Sequence, residues 1–417
     1  MPTNVNEMDF NQLSTVLNAI NAQATGSSGI QATNTSEFVS VAQATLRTGY
    51  DPVMNAISQV LGKTIFSVRP YSRKLKSLYV TEQQFGNRTR KLQTVDKAFE
   101  NDDRLALVDG ESIDPWKVNK PVVLETSFYG FNQYQKSLTI FKDQLDSAFS
   151  SADEFGRFVS MVMQNAMDLL EQAREETARA TIANFIGAKA TLAGTDTGKV
   201  HAIYLVDAFN AETGANLSRD DILTATYFPG FAKWLYGFLK TLSGMMTERS
   251  YIYHLDITGK PIARHTPIRD QRMYLFTPYV NRVGANVLAD VYHDEILRYA
   301  EHEEVNYWQA IKSPSEVKVT PSYIGANGAL AESEAITIPY VLGVIFDREA
   351  MGITLANQWT AQTPLNPRGG YYNWFFHETA RYWNDLTENG ALLIMDSATA
   401  GTNNLVGTAV VGTATAG

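Results

Sequence analysis

The chain has 417 residues, a net charge of −9, and 44% apolar against 19% charged residues, the balance of a folded protein with one large or two to three ordinary domains. Its acidity argues against a nucleic-acid-binding module, which would carry a basic face, and is shared by an ordinary cytoplasmic enzyme and by a wall that touches nucleic acid without adhering, because each Lys–phosphate contact adds affinity. The absence of cysteine excludes disulfides, thiolate metal sites and cysteine nucleophiles, no apolar run approaches the roughly 18 residues of a membrane span, and a polar, acidic start predicts no secretory signal.

Residues 1–60 are rich in Asn, Gln, Ala, Thr and Ser and read as an arm, with short helices at 10–20 and 51–61. Residues 77–85 and 121–131 have strand composition, with Leu78, Val80, Val122, Leu124 and Phe128 at alternating positions. Between them, residues 82–120 carry about twice the chain's average charge density, punctuated by Gly86, Gly110 and Pro115. Two strands flanking such an excursion predict a protruding hairpin; a disordered surface loop is the alternative. A hairpin of that length is marginal alone and needs a partner surface.

Residues 151–186 predict one long amphipathic helix. Ser151 and Glu154 have capping-box spacing, and Phe155, Phe158, Val162, Ala166, Leu169 and Ala173 form an apolar stripe. Glu175 and Arg179 are expected to pair on the wet face, and Gly187 to stop the helix. Such a helix spans about 54 Å, against a radius of gyration of about 22 Å for a compact chain of this size, which predicts the spine of an extended subunit. Strands are expected at 201–206, 251–257, 273–276, 336–346, 371–376 and 391–395, a second amphipathic helix at 231–246, and mixed structure at 283–300. Beyond Asp396 the tail has no charge and repeats Gly-Thr, which predicts disorder or a strand added to a neighbour's sheet edge.

Catalytic signatures do not assemble. Gly62-Lys63-Thr64 lacks the upstream glycine of a phosphate loop, because Ile57 stands there. His293 and His302 are nine apart and face opposite sides of any helix, so His293-Asp294-Glu295 with His302-Glu303-Glu304 reads as a charged face before a metal site. His377, beside Trp374, Phe375 and Phe376, reads as a packed histidine. Asp347, Arg348 and Glu349 read as a charged strand terminus, and 325–328 as a turn. No cofactor and no enzymatic activity are expected.

The order of parts resembles the major capsid proteins of tailed bacteriophages, the Hong Kong ninety-seven-type fold that encapsulin nanocompartments share. The resemblance rests on a polar arm, a charged excursion, a spine helix, a middle domain and a returning strand segment. Arg272-Met273-Tyr274-Leu275-Phe276-Thr277-Pro278 is similar to that family's strand-and-turn signature. Tyr340-Val341-Leu342-Gly343-Val344-Ile345-Phe346-Asp347-Arg348-Glu349-Ala350 and Asn366-Pro367-Arg368-Gly369-Gly370-Tyr371-Tyr372 resemble its return into the peripheral domain.

The resemblance implies an α+β fold. Its parts are an N-terminal arm (1–60), an extended loop with its base strands (61–131), a peripheral domain (132–207), an axial domain (208–333), a return to the peripheral domain (334–395) and a tail (396–417). It implies a subunit that self-assembles in the host bacterial cytoplasm into pentamers and hexamers of an icosahedral virion head around double-stranded DNA. The implied partners are a scaffolding protein, a portal protein and a decoration protein, with no membrane. Phe85, Arg88, Arg90, Lys91 and Phe99 are the expected hairpin contacts between subunits, and Arg368 an expected contact near a symmetry axis. The alternatives are an encapsulin shell and a cytosolic metal-dependent hydrolase built on His293, Asp294, Glu295 and His302.

Overall fold

A computed structural model describes the chain apart from residues 1–9, 27–30, 34, 48–51, 54–55, 57–73, 81–88, 96–106, 117, 119, 129–130, 149–151, 197, 288–301 and 399–417. In chain order the strands are β1 (Thr89–Thr94), β2 (Val123–Phe128), β3 (Phe131–Phe141), β4 (Ala202–Tyr204), β5 (Gln271–Phe276), β6 (His302–Val305), β7 (Val317–Val319), β8 (Ser322–Ile324), β9 (Leu330–Glu332), β10 (Ile336–Ile338), β11 (Val341–Asp347), β12 (Met351–Gln362), β13 (Tyr371–Asn384) and β14 (Gly390–Ile394). The chain divides into two compact units.

The first unit takes residues 1–85, 131–177 and 354–381. Helices Phe10–Thr25 and Thr35–Leu46 bury Val16, Leu17 and Ile20 with Phe38, Val41 and Ala42. A buried bond from Thr45 Oγ1 to Asn21 Oδ1, 2.9 Å, joins the pair. The sheet of this unit has the order β12-β13-β3. Along β13, Tyr372, Trp374, Glu378 and Ala380 alternate into the interior. Glu378 is buried charged because Arg174 meets it through Nε and Nη2 at 2.5–3.1 Å, and Gln358 Nε2 donates to it as well.

The second unit takes residues 86–130, 178–353 and 382–417. Its sheet has the order β4-β14-β11-β5-β6. β11 runs antiparallel to β14 and β5, while β14–β4 and β5–β6 are parallel. All seven residues of β11 are buried, as expected for a central strand covered on both faces. Helix Phe228–Met245 packs its apolar face, with Phe231, Leu235, Phe238 and Leu242, into the same core as Ile203, Leu275, Ile345 and Leu393. At Gly343 a side chain would collide with the Tyr274 carbonyl and Leu275, so the β11–β5 approach requires glycine.

Several expected elements differ from the structure for local reasons. The long helix runs Ala152–Thr195, so it passes through Gly187 without stopping. A Cβ at Gly187 would lie 2.9 Å from Pro321 Cγ and closer still to Val319, so this glycine permits a close approach. Glu175 and Arg179 are buried, not on a wet face. Arg179 stacks on the Tyr307 ring at 3.8 Å and donates to the Tyr307 carbonyl. Ser151, the expected cap, and residues 57–61 of the expected second arm helix lie outside the described residues.

Residues 76–78 form a 3₁₀ turn at the start of the expected 77–85 strand, residues 81–85 of which lie outside the described residues, and the first described hairpin strand is β1. The 201–206 strand shortens to β4, because helix Leu205–Thr213 starts at once. Residues 251–257 are not a ladder strand. Leu255 donates to the Leu386 carbonyl, the Tyr253 carbonyl accepts from Gly390 and the Ile252 carbonyl from Val200, so this backbone is satisfied by separate segments and not by one ladder. The 336–346 strand is broken at Tyr340, whose φ is 56°, into β10 and β11. Helix Thr277–Val287 fills the start of the region expected to be mixed. The tail beyond Ala398 lies outside the described residues.

Candidate assembly surface

The excursion begins and ends in an antiparallel pair. β1 and β2 pair from Thr89↔Phe128 to Thr94↔Val123 and form a sheet of two strands. Beyond this pair, the described residues from Leu107 to Val122 are exposed. They include Leu107, Val108 (66%), Ile113, Trp116 (84%) and Val118 (77%). Asp109, Glu111 and Asp114 lie among them. Asp114 Oδ1 accepts from the Trp116 amide at 2.9 Å, a local turn that fixes the backbone carrying the indole. Exposed apolar side chains clustered in one segment mark an interaction surface, whereas scattered ones do not.

The two faces of β1 differ. Arg90 and Leu92 point to solvent, and Arg90 lies 3.7 Å from Glu125 across the strand pair. Lys91 and Gln93 point the other way. Lys91 Nζ reaches Asp385 Oδ2 at 3.0 Å, Glu349 at 3.5 Å, and Glu388. Arg264 joins them: Nη1 lies 3.1 Å from Glu388, Nη2 donates to Gln93 Oε1 at 2.6 Å, and Nε donates to the Thr387 carbonyl at 3.0 Å. Burial acts to lower the Lys91 pKa, but Asp385 and Glu388 outweigh it and hold it above its ordinary value. Burial pushes the Glu388 carboxyl up despite Lys91 and Arg264, and the neighbouring Asp385 carboxylate adds to the rise.

Arg368 is exposed in the turn between β12 and β13. Asn366 builds that turn: its Oδ1 accepts from the Arg368 and Gly369 amides, both at 3.0 Å. Gly370 completes it with φ 63°. Phe85, Arg88 and Phe99 lie outside the described residues. Lys91, expected to face another subunit, is engaged by its own chain. Sequence reasoning missed Leu107, Ile113, Trp116 and Val118. Their signal was present as large apolar residues inside a Gly- and Pro-punctuated acidic stretch.

His302, Glu303 and Glu304 lie on β6, where alternation sends Glu303 to the face opposite the other two; His293, Asp294 and Glu295 lie outside the described residues. Among the described residues no cluster of three His, Cys, Asp or Glu side chains can hold a metal ion. His377 stacks on Trp359 with ring centroids 3.9 Å apart. Asp347 is buried and accepts from Thr266 Oγ1 at 2.8 Å and the Glu349 amide at 2.9 Å. Residues 325–328 are the expected turn, with the Gly328 amide donating to the Gly325 carbonyl.

A second polar cluster is enclosed. Lys189 Nζ donates to the Tyr253 carbonyl at 3.0 Å and lies 3.4 Å from His201 Nδ1. His201 Nε2 lies 2.8 Å from Asp196. His254 Nδ1 lies 3.2 Å from Asn389 Oδ1. Lys199 meets Asp256 at 2.8 Å. Burial pushes Lys189 down to about 7, and both histidines down to about 4. Among the described residues, no helix is long and apolar enough to cross a membrane.

An apolar excursion held out to solvent from a folded body defines a protein that associates through that surface. The model of the Phi29-like phage major capsid protein family matches residues 15–394, and the chain belongs to that family. No curated protein sequence matches the chain. The fold is similar to a chain in the capsid structure of Staphylococcus phage Andhra, with a TM-score of 0.53 and 10% identity, covering 81% of this chain and 87% of that one. It is also similar to a chain in the structure of the head fibre and inner core protein gp22 of native bacteriophage P68, with a TM-score of 0.50 and 10% identity, covering 80% and 87%. The protein is thus a non-enzymatic capsid subunit of the virion, with an α+β capsid fold, and it self-assembles into a shell. Neither the hydrolase nor the encapsulin reading finds support.

Proposed function

We propose that copies of this chain close as pentamers and hexamers into an icosahedral head around double-stranded DNA, assembling in the cytoplasm of a host bacterium. The observation that carries this reading is the exposed apolar segment from Leu107 to Val118, on a hairpin too thin to cover it. Identical chains making heterologous contacts close into rings when the rotation permits. A specific interface buries about 1,600 Å² in total, an area that the hairpin and the N-terminal arm can offer to each neighbour. Residues 61–131 act as the extended loop, 132–207 and 334–395 as the peripheral domain, and 208–333 as the axial domain.

In this reading Phe85, Arg88, Arg90, Phe99 and Arg368 touch neighbouring copies, and Lys91 supports the same interface from within its own chain. The net charge of −9 favours weak, non-specific contact with packaged DNA. A scaffolding protein, a portal protein and an external decoration protein complete the set of partners. Negative-stain imaging and sizing of the chain expressed with its scaffold test this: closed particles or capsomer rings are expected. A chain that stays monomeric under those conditions would overturn the reading.

A further inference from the structure

Among the described residues the hairpin has two strands and no third, and an isolated pair is marginal in water. What orders it must come from side chains facing the body: Lys91 and Gln93 on β1, and on the same face of β2 the buried Thr126 with the half-buried Leu124 and Phe128. The two on β1 are polar. Lys91 enters a cage formed by Asp385, Glu388 and Glu349, and Gln93 is gripped by Arg264.

The cage is itself rigid. Asp385 Oδ1 accepts from the Thr387 amide at 3.0 Å and from Thr387 Oγ1 at 2.6 Å, and the Asp385 amide donates to the Ala350 carbonyl at 2.6 Å. The Asp347 amide donates to the Asn389 carbonyl at 2.9 Å, which ties the turn to β11. β14 follows directly. The cage is therefore continuous with the five-stranded sheet.

We propose that Lys91 is a positioning residue: its ammonium, seated between Asp385 and Glu388, latches the base of the hairpin and fixes the direction in which the hairpin leaves the body. The proposal rests on the reading that the hairpin contacts a neighbouring copy, for only then does its direction set the curvature of the shell. Charge-assisted hydrogen bonds hold an angle, whereas apolar contacts permit sliding. Withdrawing Lys91 leaves Glu388 with Arg264 and takes from Asp385 the cation that it pairs with, and an uncompensated buried charge is strongly unfavourable. The latched geometry is therefore the dominant one. Subunits carrying hairpins of one direction make one curvature, and the particles have one diameter.

Hydrogen exchange of the unassembled full chain tests the latch, with the wild type, Lys91→Met, and the triple variant Lys91→Met/Asp385→Asn/Glu388→Gln. The triple variant removes both halves of the latch and leaves neither Asp385 nor Glu388 as a buried anion, while Arg264 keeps its bonds to Gln93 and the Thr387 carbonyl, so it decides the matter where Lys91→Met alone fails to fold. Peptides covering β1 and β2 are expected to exchange on the order of tenfold faster or more in the triple variant, while those of β11 and β14 stay as in the wild type. Particles formed by that variant are expected to lose their single diameter. Wild-type protection of β1, uniform particles, or a triple variant that does not fold would overturn the proposal; the last would mean that the cluster holds the body together, not the hairpin. Exchange is read without assembly, so a wild type that never forms shells overturns the proposed function separately.

Discussion

Within the second unit, the five-stranded sheet and the hairpin solve burial in opposite ways. β11 hides all seven of its residues between β14 and β5, and helix Phe228–Met245 seals the same core. β1 instead turns Leu92 (64%) to solvent and faces the body with a lysine and a glutamine. One element completes its contacts inside the chain. The other keeps its apolar surface in reserve and is held in place by charge. A shell subunit needs both: a body that folds before assembly, and a surface that gains only on meeting another copy.

That contrast predicts a gradient of mutational effects. Gly343→Val drives a side chain into the Tyr274 carbonyl at the centre of the sheet, so the chain is expected to be recovered insoluble, as read by its soluble fraction. Leu393→Ala empties a fully buried site shared with Ile345 and Leu275. A loss of about 2–5 kcal/mol is expected in denaturant unfolding.

Acid acts next. The folded-state pKa of His201 and His254, about 4, lies below the ordinary value of 6.5. The stability that their neutral forms contribute is complete above pH 6.5 and is lost as pH falls through 4. The unfolding midpoint should decline across that window, and less so in His254→Asn. Trp116→Ala should change the stability of the unassembled chain least, within about 0.5 kcal/mol, because the indole is exposed. The same change should reduce particle yield measured by sedimentation. A destabilised monomer would show that the segment already packs on its own body.

Elements with apolar periodicity were legible in the sequence. The long helix and helix Phe228–Met245 declared themselves by spacing, as did β5, β11, β13 and β14 by their apolar runs. β1 did not, because the side chains that it turns inward are Lys91 and Gln93; a strand anchored by charge has no alternation of apolar residues to read. β12 was missed because its buried end, Met351–Thr354, does not alternate. Gly187 misled because a glycine that admits a close neighbour looks like one that ends a helix. For the assembly surface, the excursion was visible as charge density, but its apolar content was not weighed. The Asp385–Glu388 cage was invisible because its members lie nearly 300 positions from Lys91.

Oxidative footprinting of Trp116 before and after assembly tests the central claim most directly. The indole is bare in the chain, so rapid labelling is expected in the free subunit, and strong protection in the closed particle if another copy covers it there. Equal labelling in both states would contradict the account.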